Sequence, residues 1–256
     1  MSGLGWRLTG GVLALGTVGW GAFNMVSLVA HEERTEVTPY PAADVTMIDV
    51  DNTSGSVTIV GTAGRDEITV TARISDGLRP TGEQQRLVDG RLEVDATCPA
   101  IGSEWCEVDY TIEVPADLPV RADTDNGGID VRGMDGQIDV STDNGSVEVN
   151  DVGGDLTIDG DNGSIRAADL TTDTVVAETN NGSIVLELLE PPNSVRARSN
   201  NGSVEVVLPR TEIFYNLAIT TDNGDVTRED IRHDPTSTRH ITIDTDNGDV
   251  TARYAP

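Results

Sequence analysis

The stretch that decides the fold is "IDVSTDNGSVEV", residues 138–149. Val140, Thr142, Val147 and Val149 alternate with Ser141, Asp143, Ser146 and Glu148 around the centre Asn144-Gly145. Alternation with a period of two on both sides of a turn dipeptide reads as two short strands and a corner.

Outward from this stretch the same corner returns. Asn-Gly stands at Asn126-Gly127, Asn144-Gly145, Asn162-Gly163, Asn181-Gly182, Asn201-Gly202, Asn223-Gly224 and Asn247-Gly248, with spacings of 18, 18, 19, 20, 22 and 24. A degenerate copy, "IDVDNTSGSVTI" (48–59), aligns without a gap and sets Gly55 under Gly145. Four residues before each Asn are Ala122, Val140, Ile158, Ala177, Ala197, Ile219 and Ile243. Three residues after it are Ile129, Val147, Ile165, Ile184, Val204, Val226 and Val250. Five after it the column decays at the end, to Arg228 and Ala252.

The length variation sits in the opposite connection, from "RGMDG" to "LPRTEIFYN" and "REDIRHDPTSTRH". A fixed corner and an elastic corner predict an all-β β-solenoid of 18–24-residue windings, each about 4.8 Å along the axis. No winding buries its apolar face alone, so neighbours stabilise one another. Asn-Gly between alternating strands is equally a hairpin signal. An antiparallel β-meander of such hairpins therefore stands as the alternative fold.

Composition restricts the function. The 256 residues carry a formal charge of −27 with no lysine, which disfavours nucleic acid and anionic lipid as partners. Residues 8–30, "LTGGVLALGTVGWGAFNMVSLVA", contain no charge. As a helix they would span about 34 Å, enough for a hydrocarbon core of about 30 Å. The reading is a cytoplasmic tail at 1–7, a transmembrane anchor at 8–30 and an extracellular remainder. The remainder divides into a Pro-containing stalk at 31–44, first windings at 45–118 and a regular stack at 119–256. Strands are expected at 66–74, 91–97 and 106–114. Cys98 and Cys106, the only two cysteines, flank a turn-rich loop and are expected to form a disulfide outside the cell.

The anchor, the "HEERTE" juncture, the Cys98–Cys106 loop and the repeated "DNGSV" resemble the bacterial putative-adhesin family, over roughly residues 45–256. The resemblance implies a β-solenoid at the cell surface and supplies no catalytic residues.

The corner is read first as a turn. The seven glycines are expected to supply φ > 0, and the asparagines to stack as a hydrogen-bonded ladder. Thr124, Thr142, Thr179, Ser199, Thr221 and Thr245 turn their hydroxyls inward. The competing reading is Ca²⁺ held by the column Asp125, Asp143, Asp161, Asp222 and Asp246. Against it stand Asn180 and Asn200 in the same column and the lack of an EF-hand glutamate.

Catalytic signatures are sparse. His233 and His240 flank a loop, and no GxSxG elbow or phosphate loop occurs. Phe214-Tyr215 is expected to pack on the flank. The functions carried forward are a non-enzymatic adhesin-like or scaffold protein at the cell surface, an envelope-stress or signalling accessory protein, and a carbohydrate-active hydrolase. The last winding is expected either to be blunted by Arg228, Arg253 and Pro256 or to associate end to end.

Overall fold

The structure, a computed structural model, describes residues 32–77, 80–99 and 105–256. The described residues are all-β, with one short 3₁₀ turn at Ala42–Asp44. No helix among the described residues is long and apolar enough to cross a membrane. The expected tail and anchor, residues 1–30, lie outside them.

Two sheets face each other, one of 11 strands and one of 10. The strands on either side of each Asn-Gly belong to different sheets. Ile138–Asn144 pairs in parallel with Val120–Asn126 and Leu156–Asn162, one repeat away on each side. Val147–Val152 does the same in the opposite sheet with Ile129–Met134 and Ile165–Leu170. The antiparallel meander is therefore not the fold. A hairpin would pair the two strands beside Asn144 with each other, whereas the Asn-Gly step turns the chain from one sheet to the other. Each such two-strand unit is a rung, named below by its corner asparagine.

Stacking in register places equivalent side chains on one another. Val140, Ile158, Ala177, Ala197 and Ile243 in one sheet, and Val149, Ala167, Leu186, Val206 and Ala252 in the other, are fully buried. The apolar columns thus form one continuous core between the sheets. Burying each Val, Leu or Ile side chain contributes about 1.5–3 kcal/mol, and the alternate residues stay polar and face water.

The rungs do not stack in chain order. Strand His240–Asn247 lies between Ser194–Asn201 and Asn216–Asn223, and Val250–Tyr254 lies between Val204–Leu208 and Val226–Arg228. The Asn247 rung is therefore interior and the Asn223 rung is terminal. The chain skips one rung position along 209–215 and returns along 229–239, the two longest connections of the regular stack. Arg253 and Pro256, expected to blunt the end, belong to the interior rung, and Arg253 pairs with Glu205 at 2.6 Å. Arg228 alone of that set lies on the terminal rung.

A second displacement shapes the other end. The degenerate rung 47–62 pairs with Val120–Asn126 on one side and Arg91–Thr97 on the other. Beyond it the parallel rule gives way to antiparallel strands. Glu32–Pro41 pairs with Glu67–Asp76, which pairs with Glu107–Pro115, and Gly82–Val88 pairs with Arg91–Thr97. The expected stalk is thus for the most part a ten-residue edge strand. The expected strands at 66–74, 91–97 and 106–114 are found within a residue or two of those bounds. Cys98 and Cys106 are disulfide-bonded.

Tyr215, the last residue of the skipping connection, is fully buried, and Phe214 is half exposed beneath the Arg232 guanidinium, 5.5 Å from its ring.

Candidate functional site

The corner column is the most regular constellation in the molecule. Its asparagines form a continuous ladder. Asn144 donates from Nδ2 to Asn126 Oδ1 at 3.3 Å, Asn162 to Asn144 at 3.3 Å and Asn181 to Asn162 at 3.0 Å. Asn201 donates to Asn181 at 3.1 Å, Asn247 to Asn201 at 3.0 Å and Asn223 to Asn247 at 3.1 Å. The ladder follows the stack, not the chain.

Inside the ladder runs a second series. The hydroxyls of Thr142, Thr179, Ser199, Thr245 and Thr221 donate to the glycine carbonyls of the neighbouring rungs, at 3.0, 3.2, 2.8, 2.9 and 2.9 Å. Thr124 makes the same bond to Gly55 O at 3.4 Å. In the degenerate rung Asn52 takes the threonine's place, fully buried, donating to Gly55 O at 3.0 Å and Val108 O at 2.9 Å. Only the Asn162 rung lacks this group, because Gly160 stands there. A Cβ on Gly160 would meet nothing nearer than Thr179 Oγ1 at 3.5 Å, an ordinary contact. Gly160→Thr should therefore add a hydroxyl aimed at Gly145 O and reduce unfolded-chain freedom, stabilising by about 1–2 kcal/mol. A thermal melt should rise by several degrees; an unchanged or lower midpoint would refute the hydroxyl series as a stabilising device.

The corner glycines meet the expected demand in part and a second demand throughout. Gly127, Gly145, Gly182 and Gly224 do not have positive φ, whereas Gly163, Gly202 and Gly248 do, at 154°, 159° and 148°. What they share is proximity. A Cβ on Gly127, Gly145, Gly163, Gly182, Gly202 or Gly224 would sit 1.8–2.0 Å from the carbonyl oxygen of a neighbouring rung's corner glycine. The repeated glycine is selected by close backbone approach.

The aspartate column does not close into a cage. Asp125, Asp143, Asp161 and Asp222 are exposed. Asn180 donates to Asp161, and Asn200 donates to Asn180 Oδ1 at 2.7 Å, so side-chain amides fill the middle of the column. No group of three or more His, Cys, Asp or Glu side chains among the described residues is placed to hold a metal ion.

On the outer face of the ten-stranded sheet, carboxylates also stack. Asp51 stands beside Asp95 and Asp123 in register. Partial burial, reinforced by those neighbours, raises the Asp51 pKa, and burial with Glu178 nearby raises that of Asp159. Arginines relieve other parts of the face, Arg91 on Asp49 at 2.8 Å and Arg196 on Glu178 at 2.6 Å. A carboxylate whose pKa is raised in the folded state binds protons more readily folded than unfolded, so stability rises as pH falls through that value. The melting temperature should therefore increase as the medium is made more acidic down to the ordinary carboxylate range, and Asp51→Asn with Asp159→Asn should flatten the increase. A profile identical in the double variant would remove these two groups as its source.

His233 accepts Leu217 N–H at Nδ1 (3.2 Å) and so ties the returning connection to the terminal strand, while His240 begins a core strand. The fold is shared with a putative adhesin from Bacteroides fragilis. That structure is 13% identical, with 87% of this chain and 97% of that one covered and a TM-score of 0.51. A putative adhesin from Parabacteroides merdae is 10% identical over 87% of this chain and 97% of its own, with a TM-score of 0.46. A putative cell adhesion protein from Clostridium sporogenes is 10% identical over 88% and 100%, with a TM-score of 0.38. No family model and no curated protein matches the chain.

Proposed function

We propose that this chain is a non-enzymatic, membrane-tethered surface protein whose β-solenoid body acts as an adhesin-like interaction scaffold. The observation that carries the reading is the polarity of the stack. The segment that precedes Glu32 joins the chain at the antiparallel end, while the Asn223 rung lies at the far end, about 45 Å away at one strand spacing per rung. A tether through residues 8–30 would present the terminal rung away from the membrane. The ladders of side-chain amides and hydroxyls give such a spacer rigidity without a thick core. The names of the similarly folded proteins support an adhesive role, and the acidic, pair-laced flanks suit a body that stays soluble at a crowded surface.

The test is topological. Both native cysteines are in the disulfide, so a Ser146→Cys variant carries one free thiol at an exposed corner. A membrane-impermeant maleimide should label it on intact cells. Labelling only after lysis would overturn the surface location, and with it the proposed role.

A further inference from the structure

The repeated Asn-Gly corner carries a chemistry of its own. In this dipeptide the glycine amide nitrogen can attack the asparagine side-chain carbonyl, because glycine has no side chain to block the approach. By sequence the seven corners are equivalent in this respect. All seven asparagines are exposed, so access of water to the side chain does not distinguish them. The glycine amides do.

Gly127, Gly145, Gly163, Gly182, Gly202 and Gly248 each donate their N–H to the backbone carbonyl of the corner asparagine one rung further towards the Asn223 end, at 2.9–3.0 Å. All six are partly buried. A nitrogen whose proton is engaged in such a bond neither yields it to solvent nor turns towards its own side chain. The carbonyl under attack is held as well. In each of these six corners the asparagine Oδ1 accepts the Nδ2 of the next rung. Reaction there requires two rungs to separate. The Asn223 rung is the last of the stack and has none beyond it. Gly224 is the one exposed glycine of the seven, and its N–H makes no hydrogen bond among the described residues. Asn223 Oδ1 accepts none there either. Only its Nδ2 is fixed, to Asn247 Oδ1 at 3.1 Å and Asp246 O at 3.4 Å.

We propose that Asn223 is a site of spontaneous covalent modification, the single corner at which the folded protein deamidates. Gly224 N gives up its proton to solvent and forms a bond to Asn223 Cγ. The Cγ–Nδ2 bond breaks, and that nitrogen takes up a proton and leaves as ammonia, closing a cyclic imide. Water then adds to either imide carbonyl and opens the ring, leaving aspartate or isoaspartate at this position. One water is consumed and one ammonia released, with no change of oxidation state. The product has no ladder donor for Asn247 Oδ1, and its carboxylate stands between Asp222 and Asp225. Stacking thus guards six corners against their own chemistry and leaves the seventh open.

The test incubates the full chain in detergent micelles, in mildly alkaline buffer at physiological temperature. Peptide mass spectrometry at intervals separates amide from acid at each corner, and a methyltransferase specific for isoaspartate marks the isomerised product. Asn223 should convert at least about tenfold faster than any other corner, the ratio that a difference of about 1.4 kcal/mol in local opening produces. In denaturant all seven should convert at similar rates. Hydrogen exchange reads the cause separately, and Gly224 should exchange fastest of the seven corner glycines. Asn223→Ser should abolish methyltransferase labelling of the folded chain. Equal rates at the seven corners of the folded chain would overturn the proposal. So would Asn247 converting as fast as Asn223, since nearness to the chain end and not place in the stack would then govern. A preference for Asn223 that persists in denaturant would assign it to local sequence and overturn it equally. An unreactive Asn223 with a Gly224 amide as slow to exchange as that of Gly145 would do the same, because that amide would then be covered.

Discussion

Gly145→Ala should destabilise the protein by about 3–5 kcal/mol, far more than a surface glycine replacement in a strand. The added Cβ would lie 1.9 Å from Gly127 O and 2.5 Å from Gly127 C, backbone atoms that no rotamer change can move aside. The Asn126 and Asn144 rungs would have to separate at the corner. That strains the Gly127 N to Asn144 O bond at 3.0 Å and the Asn144 to Asn126 side-chain bond at 3.3 Å. Overpacking of this kind costs about 1–3 kcal/mol, and each lost hydrogen bond about 1 more. Conformational strain from φ adds nothing here, because Gly145 does not have positive φ. Ser146→Ala, one residue on and exposed, is the control and should change stability by less than about 0.5 kcal/mol. Denaturant unfolding of both variants decides the matter. A Gly145→Ala protein within 0.5 kcal/mol of the parent would mean that the rungs are not held as close as the backbone places them.

That glycine shows how much of the architecture is legible in the residues. Column identity at Val140, Ile158 and Ile243 predicts one buried face, and the structure buries all three. The corner asparagines predict a ladder, which is present, and the inward hydroxyls find the glycine carbonyls. At the glycine two causes act, close backbone approach at every corner and positive φ at Gly163, Gly202 and Gly248 besides, and a sequence shows that Cβ is excluded without showing which of them excludes it. The order of the last rungs was illegible for a different reason. Asn223 and Asn247 carry the same corner and matching columns except Arg228 against Ala252, so exchanging their places in the stack leaves the periodicity unchanged. The available signal was connection length. "LPRTEIFYN" and "REDIRHDPTSTRH" are long enough to pass over a rung, whereas "RGMDG" is not. The antiparallel end was partly visible. The strands at 66–74, 91–97 and 106–114 are expected from the sequence and Gly82–Val88 is not, while Glu32–Pro41 carries prolines and charges and reads as a stalk by composition. Those same residues suit an edge strand, because only one of its sides must pair.

The exchanged rung order gives the sharpest expected contrast between two single substitutions. Ile243→Asp should unfold the protein or cost at least about 4 kcal/mol, whereas Ile219→Asp should cost less than about 2 kcal/mol. Both residues occupy the same column, four before the corner asparagine, and they are direct neighbours across the sheet. Ile243 is fully buried between Ala197 and Ile219. A carboxylate there loses its water, finds no cationic partner inside the core and removes a packed side chain, a combination worth about 3–5 kcal/mol for the charge alone. Ile219 has a rung on one side only and is partly buried. Its carboxylate can reach solvent past the open edge, so the loss is mainly that of partial apolar contact. Stacking in chain order would reverse the prediction, with Ile219 enclosed between Ala197 and Ile243 and Ile243 at the end. Equal losses at the two positions, or a larger loss at Ile219, would show that the Asn247 rung is not the one inside.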